Sequence, residues 1–225
     1  MNNQAIENVE NENKDIEMEN CNRTKVSSKK EAMIKEVFSW IRVIGISIVI
    51  SLLFRNVIFV NASIPTGSME NTIMTGDRLM GYRLAYLNSE PQRGDIIIFK
   101  YPLDEEQLFV KRVIGLPGET VDIKNSQIYI NQQEIPLAES YLKEDWYKTN
   151  DDLHYVVPQG YYFVLGDNRN ISLDGRLWCE EAVRIGLAST QEEAYYNNYC
   201  FVSEQKILGK AIMTYYPRIE IVDAE

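Results

Sequence analysis

The chain has 225 residues, 45% of them hydrophobic, and its 23 basic and 33 acidic side chains give a formal net charge of −10. With no basic patch beyond residues 21–36, that balance excludes nucleic acid as a partner. One histidine and three dispersed cysteines exclude a Cys/His zinc site of recognised spacing, and ordinary Gly and Pro usage fits one sizeable domain with appendages.

Residues 1–20 hold six acids against Lys14, and residues 21–36 then turn basic, with Arg23, Lys25, Lys29, Lys30 and Lys35 against Glu31 and Glu36. Residues 1–36 read as a solvated, disordered tail. The apolar segment 37–60 follows. Its uncharged centre, Val43 to Phe54, is only ~18 Å long as a helix, but the whole segment reaches roughly 36 Å if Arg42 and Arg55 extend toward opposite interfaces. This predicts one transmembrane helix over 37–60, with Trp40 at an interface. The basic stretch before it places the tail in the cytoplasm and residues 61–225 outside the cell membrane, as a second domain. A cleavable signal peptide is the rival reading, because Val60-Asn61-Ala62 before Ser63 has the small residues of a cleavage site.

Next comes Ile64-Pro65-Thr66-Gly67-Ser68-Met69-Glu70-Asn71-Thr72. Pro65 fixes its φ and Gly67 tolerates unusual backbone, so the stretch reads as a pre-shaped turn presenting Ser68. Such a turn suits a nucleophile; taken alone, these residues read first as an ordinary polar turn. Short strand-like runs dominate beyond it: 77–82, 95–101 and 107–114, then a hairpin of 121–123 with 127–130, then 155–158, 161–165 and 207–216. They indicate a mainly β fold of barrel or sandwich type. Residues 180–198 form a helical insert, in which Gly186 ends one helix and Thr190 with Glu193 has capping-box spacing for another. Cys179 and Cys200 flank the insert. They are either a disulfide, worth roughly 3 kcal/mol for a loop of about 20 residues, or two unpaired buried thiols; Cys21 lies across the membrane and stays reduced.

A Ser-His-Asp triad would rest entirely on His154, and nothing near that residue supports it. A lysine serves as base when burial makes it neutral. Lys111 is the best candidate, since alternation in Phe109-Val110-Lys111-Arg112-Val113-Ile114 places it on one face with Phe109 and Val113. Arg112, on the other face, reads as the solvent-side charge. On its own, Lys111 reads equally as a guard on an edge strand.

These stretches resemble the ordered boxes of bacterial type I signal peptidases, a family of Ser/Lys-dyad leader peptidases. The resemblance lies in Ile64-Pro65-Thr66-Gly67-Ser68-Met69, Arg93-Gly94-Asp95-Ile96-Ile97, Val110-Lys111-Arg112-Val113-Ile114-Gly115 with Pro117-Gly118-Glu119, and Gly166-Asp167-Asn168-Arg169 followed by Ser172, Asp174 and Arg176. The final strand, with Gly209-Lys210-Ala211 and Tyr215-Tyr216-Pro217, is similar to the family's last. The resemblance implies a signal-peptidase/LexA-like β-barrel catalytic domain, Ser68 as nucleophile and Lys111 as general base. It implies an oxyanion hole from the Ser68 N–H and the Thr66 hydroxyl, with Ser172 orienting the lysine and Asp174 and Arg176 as a supporting ion pair. Ile64, Met69, Ile73 and Val110 match positions lining pockets for small residues at the first and third places before the cut. The implied partners are secretory preproteins and the lipid bilayer, and no cofactor is implied. Two positions depart from the family pattern: Asn71 replaces a frequent proline, which implies a looser turn, and Gly175 replaces a common serine. The competing readings are a specialised Ser/Lys processing protease, similar in chemistry to self-cleaving LexA-type repressors, and an inert tethered β domain that binds extended peptides.

Overall fold

In the computed structural model the described residues are 33–147, apart from 53 and 56, and 152–222. The acidic tail and Cys21 lie outside them. The chain divides into two units between Arg55 and Asn56. In the first, residues 33–52 form a helix, α1, whose large apolar side chains are exposed, Phe38 at 67% and Trp40 at 62%. No helix among the described residues is long and apolar enough to cross a membrane; Lys35, Glu36 and Arg42 interrupt the apolar run of α1. Residues 54–55 and 57–58 are helical too, so the helix expected over 37–60 stops two residues short, at Ile58. Phe59–Ser63 is a strand, β1, whose Val60 and Ala62 are buried while Asn61 and Ser63 are not. A continuous apolar run such as Val57-Ile58-Phe59-Val60 carries no period that separates helix from strand.

The second unit is mainly β. After β1 come β2 (Arg78–Tyr82), β3 (Ile96–Tyr101), β4 (Asp104–Gly115), β5 (Thr120–Lys124), β6 (Gln127–Ile130), β7 (Leu153–Val156), β8 (Tyr161–Leu165), β9 (Val202–Ser203), β10 (Ile207–Tyr216) and β11 (Glu220–Ile221). The large antiparallel sheet runs β1-β2-β10-β3-β4-β8-β9, with β11 on β10, and a small sheet runs β6-β5-β7. Strands 155–158 and 161–165, expected on either side of Gln159-Gly160, therefore belong to different sheets. The two-residue turn Asn125-Ser126, both at positive φ, joins β5 to β6, the geometry a tight hairpin requires.

The β3 run Ile96-Ile97-Ile98-Phe99 is wholly buried because both faces of the sheet are covered. Ile96, Ile98 and Val110 pack with β1 and Met69, whereas Ile97, Phe99 and Val113 pack with Trp178. A strand in this position has no solvent face. Arg112 is accordingly buried at 1%, which corrects its reading as a surface charge. The insert forms α2 (Trp178–Arg184) and α3 (Gln191–Tyr196). Glu193 N–H donates to Thr190 Oγ1 at 3.1 Å, and Gly186 leaves α2 at φ +80°. Cys179 and Cys200 are joined in a disulfide, with Cα atoms 5.3 Å apart. Both pack with Ala182, Ala194 and Phe201 against the inner face of the small sheet.

Candidate active site

β1 runs directly into the Ser68 turn. Ile64 N–H donates to Asp77 O (3.0 Å) and Gly76 N–H donates back to Ile64 O (2.8 Å), which pins the base of the turn. Gly67–Met69 make one 3-10 turn, and Met69 is buried beneath it. Ser68 is tied from the other side as well, since its carbonyl accepts from Asn168 N–H at 3.0 Å. A Cβ on Gly166 would collide with the Ser172 hydroxyl and the Ser68 carbonyl, so the approach of these two loops needs glycine there.

Lys111 enters from β4, at the point where that strand changes character. β8 pairs with β4 only as far as Arg112, opposite Leu165. Before Arg112, β4 has β3 on one side and no strand on the other among the described residues. In that gap Lys111 Nζ lies 2.7 Å from Ser68 Oγ and 3.1 Å from Val110 O. Lys111 is 4% exposed, and the Phe109 ring lies 5.2 Å from its amine. Burial lowers its pKa from 10.5 to about 8, against the opposing pull of Asp174 and Asp167, and Arg176 adds to the lowering. A usable fraction of the amine is therefore neutral just below pH 8.

Thr66 lies two residues before the serine, with Oγ1 3.5 Å from Ser68 Oγ and no helix-capping bond of its own. Asp174 and Arg176 form a buried, two-pronged ion pair, both N···O distances being 2.8 Å. Asp174 also accepts from Gly166 N–H at 3.1 Å. Burial pushes its carboxyl up, yet Arg176 and these hydrogen bonds hold it below the usual range. Ser172 is buried close enough to Asp174 to help hold its carboxyl down, but its hydroxyl has no hydrogen-bond partner among the described residues and makes none to Lys111. The expected contact from Ser172 to the amine is thus not made here.

A cleft of about 260 Å³ opens over the dyad, between residues 63–69 and residues 107–111. Ile64, Met69 and Val110 line it. Ile73 does not: it is fully buried in the core below, because Ile73 N–H closes a turn onto Met69 O that points the side chain inward. Leu108, Phe109, Ile171 and Leu173 line the cleft without having been singled out from sequence. Alternation on β4 places Phe109 on the face of Lys111 without assigning it to the cleft, whereas Ile171 and Leu173 sit in a loop with no period to read. His154 lies elsewhere, on the small sheet, with Nδ1 2.8 Å from Asp122 Oδ1. Among the described residues no cluster of three or more His, Cys, Asp or Glu could hold a metal ion.

Sequence reasoning also missed the supports. Arg112 Nε and Nη2 hold Asp167 at 2.9 and 2.8 Å, and Thr72 Oγ1 donates to the same carboxylate at 2.5 Å. The Arg112 guanidinium also lies 3.8 Å from the Tyr141 ring centre. This pair joins β4 to the loop after β8 directly behind the turn. Asn71 has φ +96°, a conformation closed to proline, and its Nδ2 donates to Tyr141 O at 3.1 Å. The turn is tied at this position rather than looser. At Gly175 a Cβ would meet Phe163 Cε2 at 2.7 Å and Cys200 O at 2.9 Å, so the insert's disulfide end occupies the space a serine would need.

Residues 37–216 match the family described as "Signal peptidase, peptidase S26". The signal peptidase I of Bacillus amyloliquefaciens is 38% identical over 158 residues, 67% of this chain and 80% of that protein. That of Bacillus licheniformis is 37% identical over 161 residues, covering 68% and 82%. Signal peptidase I S of Bacillus subtilis (strain 168) is 34% identical over 171 residues, covering 72% and 90%.

Proposed function

The chain belongs to the signal peptidase, peptidase S26, family and is a serine endopeptidase, and from that premise we propose that it cleaves signal peptides from exported preproteins through a Ser68–Lys111 dyad. One observation carries the reading: a buried lysine amine 2.7 Å from a serine hydroxyl at the floor of an open cleft. With Lys111 neutral, the hydroxyl donates to the amine, and Ser68 Oγ attacks the scissile carbonyl as its proton passes to Nζ. The tetrahedral oxyanion is met by the Ser68 N–H and the Thr66 hydroxyl. Collapse breaks the C–N bond, the Lys111 ammonium gives its proton to the leaving amine, and the neutral lysine then activates the water that hydrolyses the acyl-enzyme. Asp174 and Arg176 support the loop behind the amine.

The free edge of β4 over residues 107–110 favours an extended substrate that adds as a strand. Ile64, Met69 and Val110 leave shallow apolar room, which suits small residues at the first and third positions before the cut. The apolar, exposed surface of α1 supports anchoring of the N-terminal segment in the cell membrane, with Arg42 and Arg55 reaching toward the headgroups. The orientation we propose has the tail cytoplasmic and residues 61–225 outside. Retention of the chain in the pellet after alkaline carbonate extraction supports the anchor, and release into the supernatant refutes it.

The dyad is tested by incubating detergent-solubilised full chain with a preprotein bearing an Ala-X-Ala site, alongside Ser68→Ala and Lys111→Ala. Cleavage by the unaltered chain alone is expected. Cleavage that survives either substitution refutes the dyad, and no cleavage by any form favours an inert peptide-binding domain.

A further inference from the structure

Between β6 and residue 147 the chain crosses the back of the site as an irregular strap. It touches both halves of the dyad's support. On the nucleophile side Lys143 Nζ pairs with Glu70 at 2.6 Å, next to the Asn71 contact already described. On the lysine side Asn170 Nδ2 donates to Asp145 O at 3.0 Å, and Tyr147 N–H donates to Asn170 Oδ1 at 3.0 Å. Between these contacts lies Trp146, 7% exposed, whose indole N–H has no hydrogen-bond partner among the described residues.

The face of that ring carries two cations. The Arg169 guanidinium lies 5.1 Å from its centre and that of Arg176 lies 4.9 Å away. A tryptophan face is the best aromatic platform for arginine, and a buried contact of this kind is strong. Arg176 also donates to Arg169 O at 2.8 Å, and Arg169 is itself paired with the strap's Glu139, so ring and carboxylate together seat the two arginines. Arg176 and its partner Asp174 belong to the charge around the base: Asp174 and Asp167, the latter paired with Arg112, act on Lys111 as anions, and Arg176 acts as the nearby cation.

We propose that Trp146 is a positioning residue for catalysis, seating Arg176 against Asp174 behind Lys111 through its ring face and not through its N–H. This inference rests on the Ser68–Lys111 reading. Without the ring Arg176 keeps its bonds to Asp174 and Arg169 O but loses the packing that presses it against the carboxylate, so Asp174 is less fully compensated and the Lys111 ammonium is held more tightly. The acid limb of activity should then move to higher pH.

The test measures kcat and KM for preprotein cleavage from pH 6 to 10 with the full chain, Trp146→Leu and Trp146→Phe, with Ser68→Ala and Lys111→Ala run beside them and unfolding temperatures recorded. For Trp146→Leu the limb should rise by about half a pH unit, a roughly threefold loss of kcat/KM at pH 7 carried by kcat with KM unchanged. Trp146→Phe, with a weaker platform, should fall between Trp146→Leu and the unaltered chain. Should Trp146→Leu fail to fold, Trp146→Phe against the unaltered chain carries the same test. Profiles that superimpose or shift to lower pH, even with a lower unfolding temperature, overturn the positioning role and leave the dyad standing. Activity that persists in Ser68→Ala or Lys111→Ala overturns the dyad, and this inference with it.

Discussion

Replacing Lys111 by methionine should stabilise the fold while ending catalysis. Burial lowers the amine from 10.5 to about 8, a gap of roughly 2.5 pH units that corresponds to about 3 kcal/mol at ~1.4 kcal/mol per unit. Methionine fills similar space without the charge, but it gives up the contacts to Ser68 Oγ and Val110 O, an offset of about 1 kcal/mol. The net gain is about 2 kcal/mol, or a rise of roughly 4–8 °C in unfolding temperature for a domain of this size. The sign depends on pH. Below pH 8 the lysine is protonated in both folded and unfolded chains, so the native state carries the whole penalty of a buried cation. Between about 8 and 10.5 the unfolded chain binds more protons than the folded one, so the stability of the unaltered protein rises with pH and the advantage of methionine shrinks. Thermal unfolding of both full-length chains, followed by circular dichroism at pH 7 and pH 10, measures the gap. Equal unfolding temperatures at pH 7, or a gap that ignores pH, would refute the buried-amine account.

Three further outcomes are expected. Thr66→Val should lower kcat by roughly 100- to 1,000-fold, the ~2.7–4 kcal/mol of a lost oxyanion donor, with an unchanged unfolding temperature because the Thr66 side chain is exposed and caps nothing; normal turnover would remove it from the oxyanion hole. Arg112→Met should destabilise by about 3–5 kcal/mol in urea unfolding, because it leaves the Asp167 carboxylate buried without its cation, and Arg112→Met with Asp167→Leu should recover most of that loss. Gly175→Ser should cost about 1–3 kcal/mol by overpacking against Phe163 and the Cys200 carbonyl; a neutral effect in the same urea assay would show that the insert yields there.

Much of this architecture is legible in the residues because local and global signals agree. Gln127 to Ile130 shows period-two burial, and it pairs in register with Val121-Asp122-Ile123 across a turn held at positive φ. Thr190 and Glu193 sit at cap and third position of a real helix. The failures lie where tertiary context overrides period. Arg112 looks outward under simple alternation, yet β4 has a covered face on each side, and its burial is met by a counter-charge 55 residues later with the Gly94 carbonyl and the Tyr141 ring beside it. Ile73 resembles a pocket residue by position, and the turn closing on Met69 sends it into the core instead. β1 hides in an apolar run continuous with the preceding helix. The strap around Tyr141 and Trp146 has no motif at all, since its contacts are long-range and spread over backbone, ring faces and scattered charged side chains.

The central claim is that a neutral, buried Lys111 activates Ser68, and the pH dependence of kcat/KM for preprotein cleavage tests it most directly. The limb for the free enzyme should rise with pH with an apparent value of about 8 and vanish with the activity itself in Lys111→Ala. A limb at ~6.5, the ordinary range of histidine, lost in His154→Ala and retained in Lys111→Ala, would contradict it.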